Sequence, residues 1–133
     1  MPVQSVKPEG LHIHPAYSQA LVIPAGARTM IIGGQNSVDS AGNVVFEGDL
    51  GAQTAKALDN MALCLAAAGA GFEHLVKLTI LIAGDLDVRP GFAAWMARAG
   101  APAIPPAISV IKVLALGRPG VMVEIEGLAV LPD

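Results

Sequence analysis

A chain of 133 residues accommodates one hydrophobic core, so a single domain over residues 1–133 is expected. With 53% hydrophobic and 14% charged residues it is more apolar than an ordinary soluble domain, and the surplus calls for a buried subunit interface. A net charge of −3 and 4% aromatic residues argue against a nucleic-acid surface, while Lys77 and Thr79 interrupt the most apolar segment, Leu75 to Ala83, and exclude a membrane span.

Met1-Pro2-Val3-Gln4-Ser5 lacks the basic start and apolar run of a secretory signal, which leads us to expect a cytoplasmic protein. The lone Cys64 agrees with a reducing compartment and excludes an intramolecular disulfide. His12 and His14 lie on one side of an extended segment at a spacing that can bind metal, but no third ligand is near, and no metal or cofactor is expected.

Ala20–Ile23 and Thr29–Ile32 are short apolar runs separated by Pro24 and Gly26, a pattern that predicts a hairpin. Asp39–Asn43 turns the chain, and Val44–Phe46 predicts a third short strand. Asp49 caps a helix in which Leu50, Ala55, Leu58, Met61, Ala62 and Leu65 form the apolar stripe, with Gln53, Lys56, Asp59 and Asn60 on the opposite arc and Gly69 as the stop.

Residues 75–82 predict a central strand with Val76, Leu78, Ile80 and Ile82 on one face and Lys77 and Thr79 on the other. A shorter helix over Pro90–Ala99 follows, with proline in its first turn and Gly100 at its end. Ala107–Leu114 and Val121–Val130 read as two strands joined through Gly117-Arg118-Pro119-Gly120 as a hairpin. The order β-β-β-α-β-α-β-β suggests an α+β fold with both helices on one face of a mixed sheet. The other face, with candidates Leu75, Leu81, Met122 and Leu128, is too apolar for water, so self-association is expected.

Several segments carry a more specific signal in their order: Tyr17-Ser18-Gln19-Ala20, Gly33-Gly34-Gln35, Gly48-Asp49-Leu50, Gln53-Thr54, Ala57-Leu58-Asp59-Asn60, Ala67-Ala68-Gly69, Val76-Lys77-Leu78-Thr79, Pro105-Pro106-Ala107 and Val123-Glu124-Ile125-Glu126. Together they resemble the Rid (reactive intermediate deaminase) or YjgF family, which also carries the label endoribonuclease L-PSP. The resemblance spans nearly the whole chain. It implies a chorismate-mutase-like fold, a homotrimer around a central β barrel, and small-molecule clefts between neighbouring subunits. In the deaminating members an arginine after the Pro-Pro-Ala segment grips the substrate carboxylate, and a glutamate in the last strand positions the attacking water. Glu124 matches that glutamate; the arginine's position holds Ile108. Arg89-Pro90-Gly91 also departs from the family pattern, so the polar cleft residue of that region has no counterpart in the reading.

The resemblance makes Glu124 the candidate catalytic residue, and its alternation with Val123 and Ile125 puts it on one face with Glu126. The competing reading is that both carboxylates are solvated or paired to basic neighbours. Tyr17, Gly34 and Gln35 match cleft positions and would help hold a small polar ligand. An alkyl group at Ile108 cannot replace paired charge-assisted hydrogen bonds, so standard 2-aminoacrylate or 2-iminopropionate deamination is not expected unless Lys112 or Arg118 supplies a displaced cation. Cys64, among Leu63, Leu65 and Ala66, reads as core or interface filler. Two functions stay open: hydrolysis of a reactive enamine or imine that need not carry a carboxylate, and non-catalytic binding of a small ligand in the same clefts. A Glu124 poised beside an ordered water favours the first, and one locked in a structural ion pair favours the second; nothing basic or His-paired supports the ribonuclease label.

Overall fold

The computed structural model describes residues 2–133, as a four-stranded mixed sheet, two helices and a small two-stranded sheet. The strands are β1 (Gln4–Val6), β2 (Ala20–Val22), β3 (Thr29–Gln35), β4 (Leu75–Ala83), β5 (Ala107–Val113) and β6 (Val123–Val130), and the helices α1 (Leu50–Ala67) and α2 (Arg89–Ala99). The main sheet runs β3-β6-β4-β5, with β4 and β5 parallel and the other pairs antiparallel. Parallel neighbours need a crossover, which α2 provides. Among the described residues no helix is long and apolar enough to cross a membrane.

Helix α1 starts where the Asp49 carboxylate accepts the Ala52 N–H at 3.0 Å, and the chain leaves it through Gly69 at φ 73°. Its apolar face, Leu58, Met61 and Leu65, packs on Leu78 and Ile82 of β4 and on Val123, Ile125 and Ala129 of β6. Trp95 of α2 joins that core, edge-on to Phe72 with ring centroids 5.9 Å apart. Gly91 lets α2 approach α1 closely: a Cβ there would lie 3.2 Å from Thr54 Oγ1.

The expected order β-β-β-α-β-α-β-β is found, but its members and pairings differ. The strand at residues 20–22 pairs with β1, which composition did not suggest, and β3 pairs with β6, so the predicted 20–32 hairpin is absent. Val44–Phe46 is no strand. Val45 instead exchanges bonds with Ser37 across the Asp39–Asn43 turn, and Phe46 adopts φ 59°, which ends extension. The two final strands form no hairpin either, because β4 lies between them.

Two burial expectations are also corrected. Gln53, placed on the solvent arc, is fully buried, with Nε2 donating to Gly120 O (2.9 Å) and Val45 O (3.3 Å) and Oε1 accepting Met122 N–H (2.8 Å). Those three partners satisfy the amide, which makes its burial tolerable. Asn60 is half-buried and donates to Asn36 O and Val38 O. Leu75, expected on the uncovered face, lies in the core because a bulge between Leu75 and Lys77 turns it inward, and Met122, at the other end of the β4–β6 ladder, is half-buried against the same core.

Candidate functional site

Strand parity decides which side chains can meet. On β6, Val123, Ile125 and Ala129 point to the helices, which leaves Glu124, Glu126 and Leu128 on the other face. Register brings Leu81 beside Glu124 and Thr79 beside Glu126, while Lys77 donates to Ser109 Oγ at 2.7 Å. A bulge between Ile32 and Gln35 carries Gly33 and Gly34. The Glu124 side chain occupies the space that a side chain at Gly34 would need: an ideal Cβ there would be 2.7 Å from Glu124 Cδ. Asn36 Nδ2 donates to Glu124 Oε1 at 3.1 Å. Among the described residues Glu124 forms no salt bridge.

The helix-facing side holds an apolar cavity of ≈ 410 Å³. Ile108 and Val110 of β5, Ile80 of β4, and Phe92 and Trp95 of α2 form its walls, with Tyr17 and His14 at one side. The segment carrying those two rings is tied to the entry of β5. Ser18 N–H donates to Pro106 O at 3.0 Å, Ser18 Oγ to Pro105 O at 2.6 Å, and Gln19 Nε2 to His12 O at 2.6 Å. His14 stacks on Tyr17 with centroids 5.1 Å apart and planes 3° from parallel.

Ile108 is paired with Leu78, whose side chain is in the core, and Glu124 with Leu81, one step out of phase. The two therefore lie on opposite faces of one chain's sheet, so a single cleft can contain both only if different subunits contribute them. Lys112 is on the Ile108 face, as its spacing suggested, and its Nζ lies 2.5 Å from Asp85 Oδ1; that hydrogen bond and the ammonium charge hold the Asp85 carboxyl below its usual range. Arg118 donates to Gly42 O at 2.8 Å. Gln35 donates to Gly33 O at 3.2 Å. Cys64 is half-buried against the core.

The family model described as endoribonuclease L-PSP matches residues 10–131. The chain belongs to the Rid/YjgF family. Protein DfrA of Myxococcus xanthus is 36% identical over 117 residues, covering 86% of this chain and 84% of the relative. The 2-iminobutanoate/2-iminopropanoate deaminase of Rattus norvegicus is 32% identical over 115 residues, covering 86% and 80%. Among solved structures, the Rid-family protein YyfB of Yersinia pestis superposes with a TM-score of 0.84 at 29% identity, covering 98% of this chain and all of that one. A YjgF-family protein of Neisseria meningitidis reaches 0.67 at 25% identity, covering 100% and 98%.

Against this Rid background, Ile108 stands where the resemblance calls for an arginine, and its side chain is one wall of the apolar cavity. Sequence reasoning missed Asn36, although it directly follows the Gly33-Gly34-Gln35 motif, and missed His14 as a cavity residue. It also left Trp95 unassigned; as the sole tryptophan on an otherwise sparse aromatic list, it was the available signal.

Proposed function

We propose that the chain forms a cytoplasmic homotrimer with small-molecule clefts between subunits, and that these clefts hydrolyse a reactive enamine or imine lacking a carboxylate. The observation that carries this reading is the seat of Glu124: its carboxylate lies over Gly34, is bonded by Asn36, and is unpaired with any cation among the described residues. A carboxylate held in that way can take a proton from water. The water oxygen then bonds to the imine carbon and the C=N π pair moves to nitrogen, which takes up a proton. In the resulting carbinolamine the hydroxyl gives up its proton and the amine takes one as the C–N bond breaks, releasing ammonia and leaving a carbonyl. An enamine enters the same sequence after protonation at carbon.

Relatives named as imine deaminases support the reaction class. Ile108 argues against their 2-imino acid substrates, and Lys112 and Arg118 are both engaged elsewhere. Trimer formation is supported by the face that carries Glu124, where Ile31 is 85% exposed and Ile111 45%, and by the placement of Ile108 and Glu124 on opposite faces. Tyr17, Gly34, Gln35 and Ile108 are the residues we assign to the cleft.

Ammonia release from a panel of uncharged enamines and imines tests the reading, with light scattering for assembly. Turnover in the wild type, lost in a trimeric Glu124→Gln, is the expected result. A monomer at micromolar concentration, or unchanged turnover in the variant, refutes it. The apolar cavity favours one second reading, a trimer that binds a ligand without turnover, and the same panel would then show binding and no ammonia.

A further inference from the structure

We infer that the cavity beside β5 takes an uncharged molecule with a branched or cyclic hydrocarbon body and a single acceptor oxygen or nitrogen, and that His14 is the specificity-determining donor to that acceptor. The inference rests on the cleft reading above and deepens it.

Three observations point to this ligand class. The walls, Ile80, Ile108, Val110, Phe92 and Trp95, are hydrocarbon or aromatic, so they match an apolar body and offer a carboxylate nothing to replace its water. Among the described residues the one cationic side chain at the lining, Arg89, is already engaged: its Nε lies 3.0 Å from both Asp87 oxygens and its Nη2 2.8 Å from Oδ2. The Asp87 carboxylate thereby offsets the cationic charge that would otherwise draw an anion to the lining.

The third observation is the state in which His14 is held. Ala16 N–H donates to His14 Nδ1 at 3.0 Å, so that nitrogen carries no proton, and the proton of the neutral ring is on Nε2. His14 therefore presents an N–H donor. Stacking on Tyr17 fixes the ring plane, and the Ser18 bonds to Pro105 and Pro106 fix the segment against the start of β5. His14 and Tyr17, each with a polar hydrogen to give, line a cavity whose other polar side chains, Thr54 and Arg89, are bonded to Leu50 O and Asp87. A carbonyl oxygen or an imine nitrogen accepts from such a donor without any charge to bury.

Trp95 is the only tryptophan and lies in the cavity wall, so its fluorescence reports occupancy without any need for turnover. The probes are cyclohexanecarboxamide and cyclohexanecarboxylate, which share shape and differ in charge. The amide is expected to shift Trp95 emission saturably, with the carboxylate roughly tenfold or more weaker. His14→Phe keeps a ring on Tyr17 but no N–H, and is expected to weaken amide binding by about 3- to 10-fold. His14→Gln, which retains a donor, falls between. Val110→Phe fills the cavity from an exposed edge-strand position and should abolish the shift, which keeps the test open if the His14 variants fail to fold.

Equal or tighter carboxylate binding overturns the inference, as does an unresponsive Trp95, which is also what a second copy of the chain filling the cavity would give. Full amide affinity in a folded His14→Phe overturns the role of His14. A wild type that binds the amide but releases ammonia from no enamine sinks the hydrolase reading and leaves the ligand class standing. One that turns over but prefers carboxylates does the reverse.

Discussion

Gly34→Ala tests the seat of Glu124 without touching the carboxylate itself. The added Cβ would lie 2.7 Å from Glu124 Cδ and 2.8 Å from both Cγ and Oε2. Ordinary carbon contacts begin near ~3.5 Å, so the carboxylate must retreat by roughly 1 Å. Such a misplacement of a catalytic group is worth about 100-fold in rate. Stability should change little. Gly34 is not at positive φ, the displaced atoms belong to a flexible side chain, and a strained Glu124 rotamer costs about 0.5–1.5 kcal/mol. Alanine also restricts the unfolded chain, which offsets about 0.4–1 kcal/mol of that. The assay pairs ammonia release from the best uncharged enamine with urea unfolding. A variant as stable as wild type but about 100-fold slower is expected. Full activity would show that the position of Glu124 over Gly34 is irrelevant to the chemistry.

Gln53→Leu keeps volume but strands the Val45 and Gly120 carbonyls and the Met122 N–H, so urea unfolding should show a loss of about 2–5 kcal/mol; a loss within experimental error would mean water replaces the amide. Ile108→Arg should raise 2-iminopropionate hydrolysis by roughly tenfold or more through one charge-assisted pair, and robust wild-type activity on that substrate would show that a cation already serves. Asp87→Asn should release Arg89 and tighten cyclohexanecarboxylate binding, read by Trp95 emission; no change would mean that Arg89 cannot reach the cavity. Hydrogen bonds from Arg89 hold the Asp87 carboxyl down to about 2. The pair is thus intact above the ordinary carboxylate range and is lost only as pH falls through about 2, so Arg89 should stay engaged by Asp87 at pH 7 and at pH 8, and the effect of Asp87→Asn on carboxylate binding should be the same at both.

Local chemistry was legible and long-range pairing was not. Asp49, Pro90 and Gly100 marked helix ends because capping and φ preferences act within a few residues, and alternation over residues 75–82 identified β4 for the same reason. The partners of β2, β3, β5 and β6 depend on which apolar faces meet after the helices dock, and adjacency in sequence misled at both ends. Gln53 read as a surface residue because its acceptor at Gly120 lies 67 residues away. The site suffered similarly. Glu124 and Ile108 each matched a motif position, but their opposite orientation follows from their registers on β4, Leu81 for one and Leu78 for the other, which neither motif encodes.

The sheet order also bears on how the chain is made. Strand β6, at residues 123–130, lies between β3 and β4, so β3 has no neighbour in the sheet until β6 emerges from the ribosome. Synthesis at about 5–20 residues per second leaves several seconds in which β3 and β4 present unpaired edges and α1 lacks Val123, Ile125 and Ala129 to pack on. A chain truncated near residue 120 would lack β6 and leave β3 without a neighbour in the main sheet. Open edges of that kind recruit other strands, which makes the interval before β6 arrives the one in which chaperone binding should matter most.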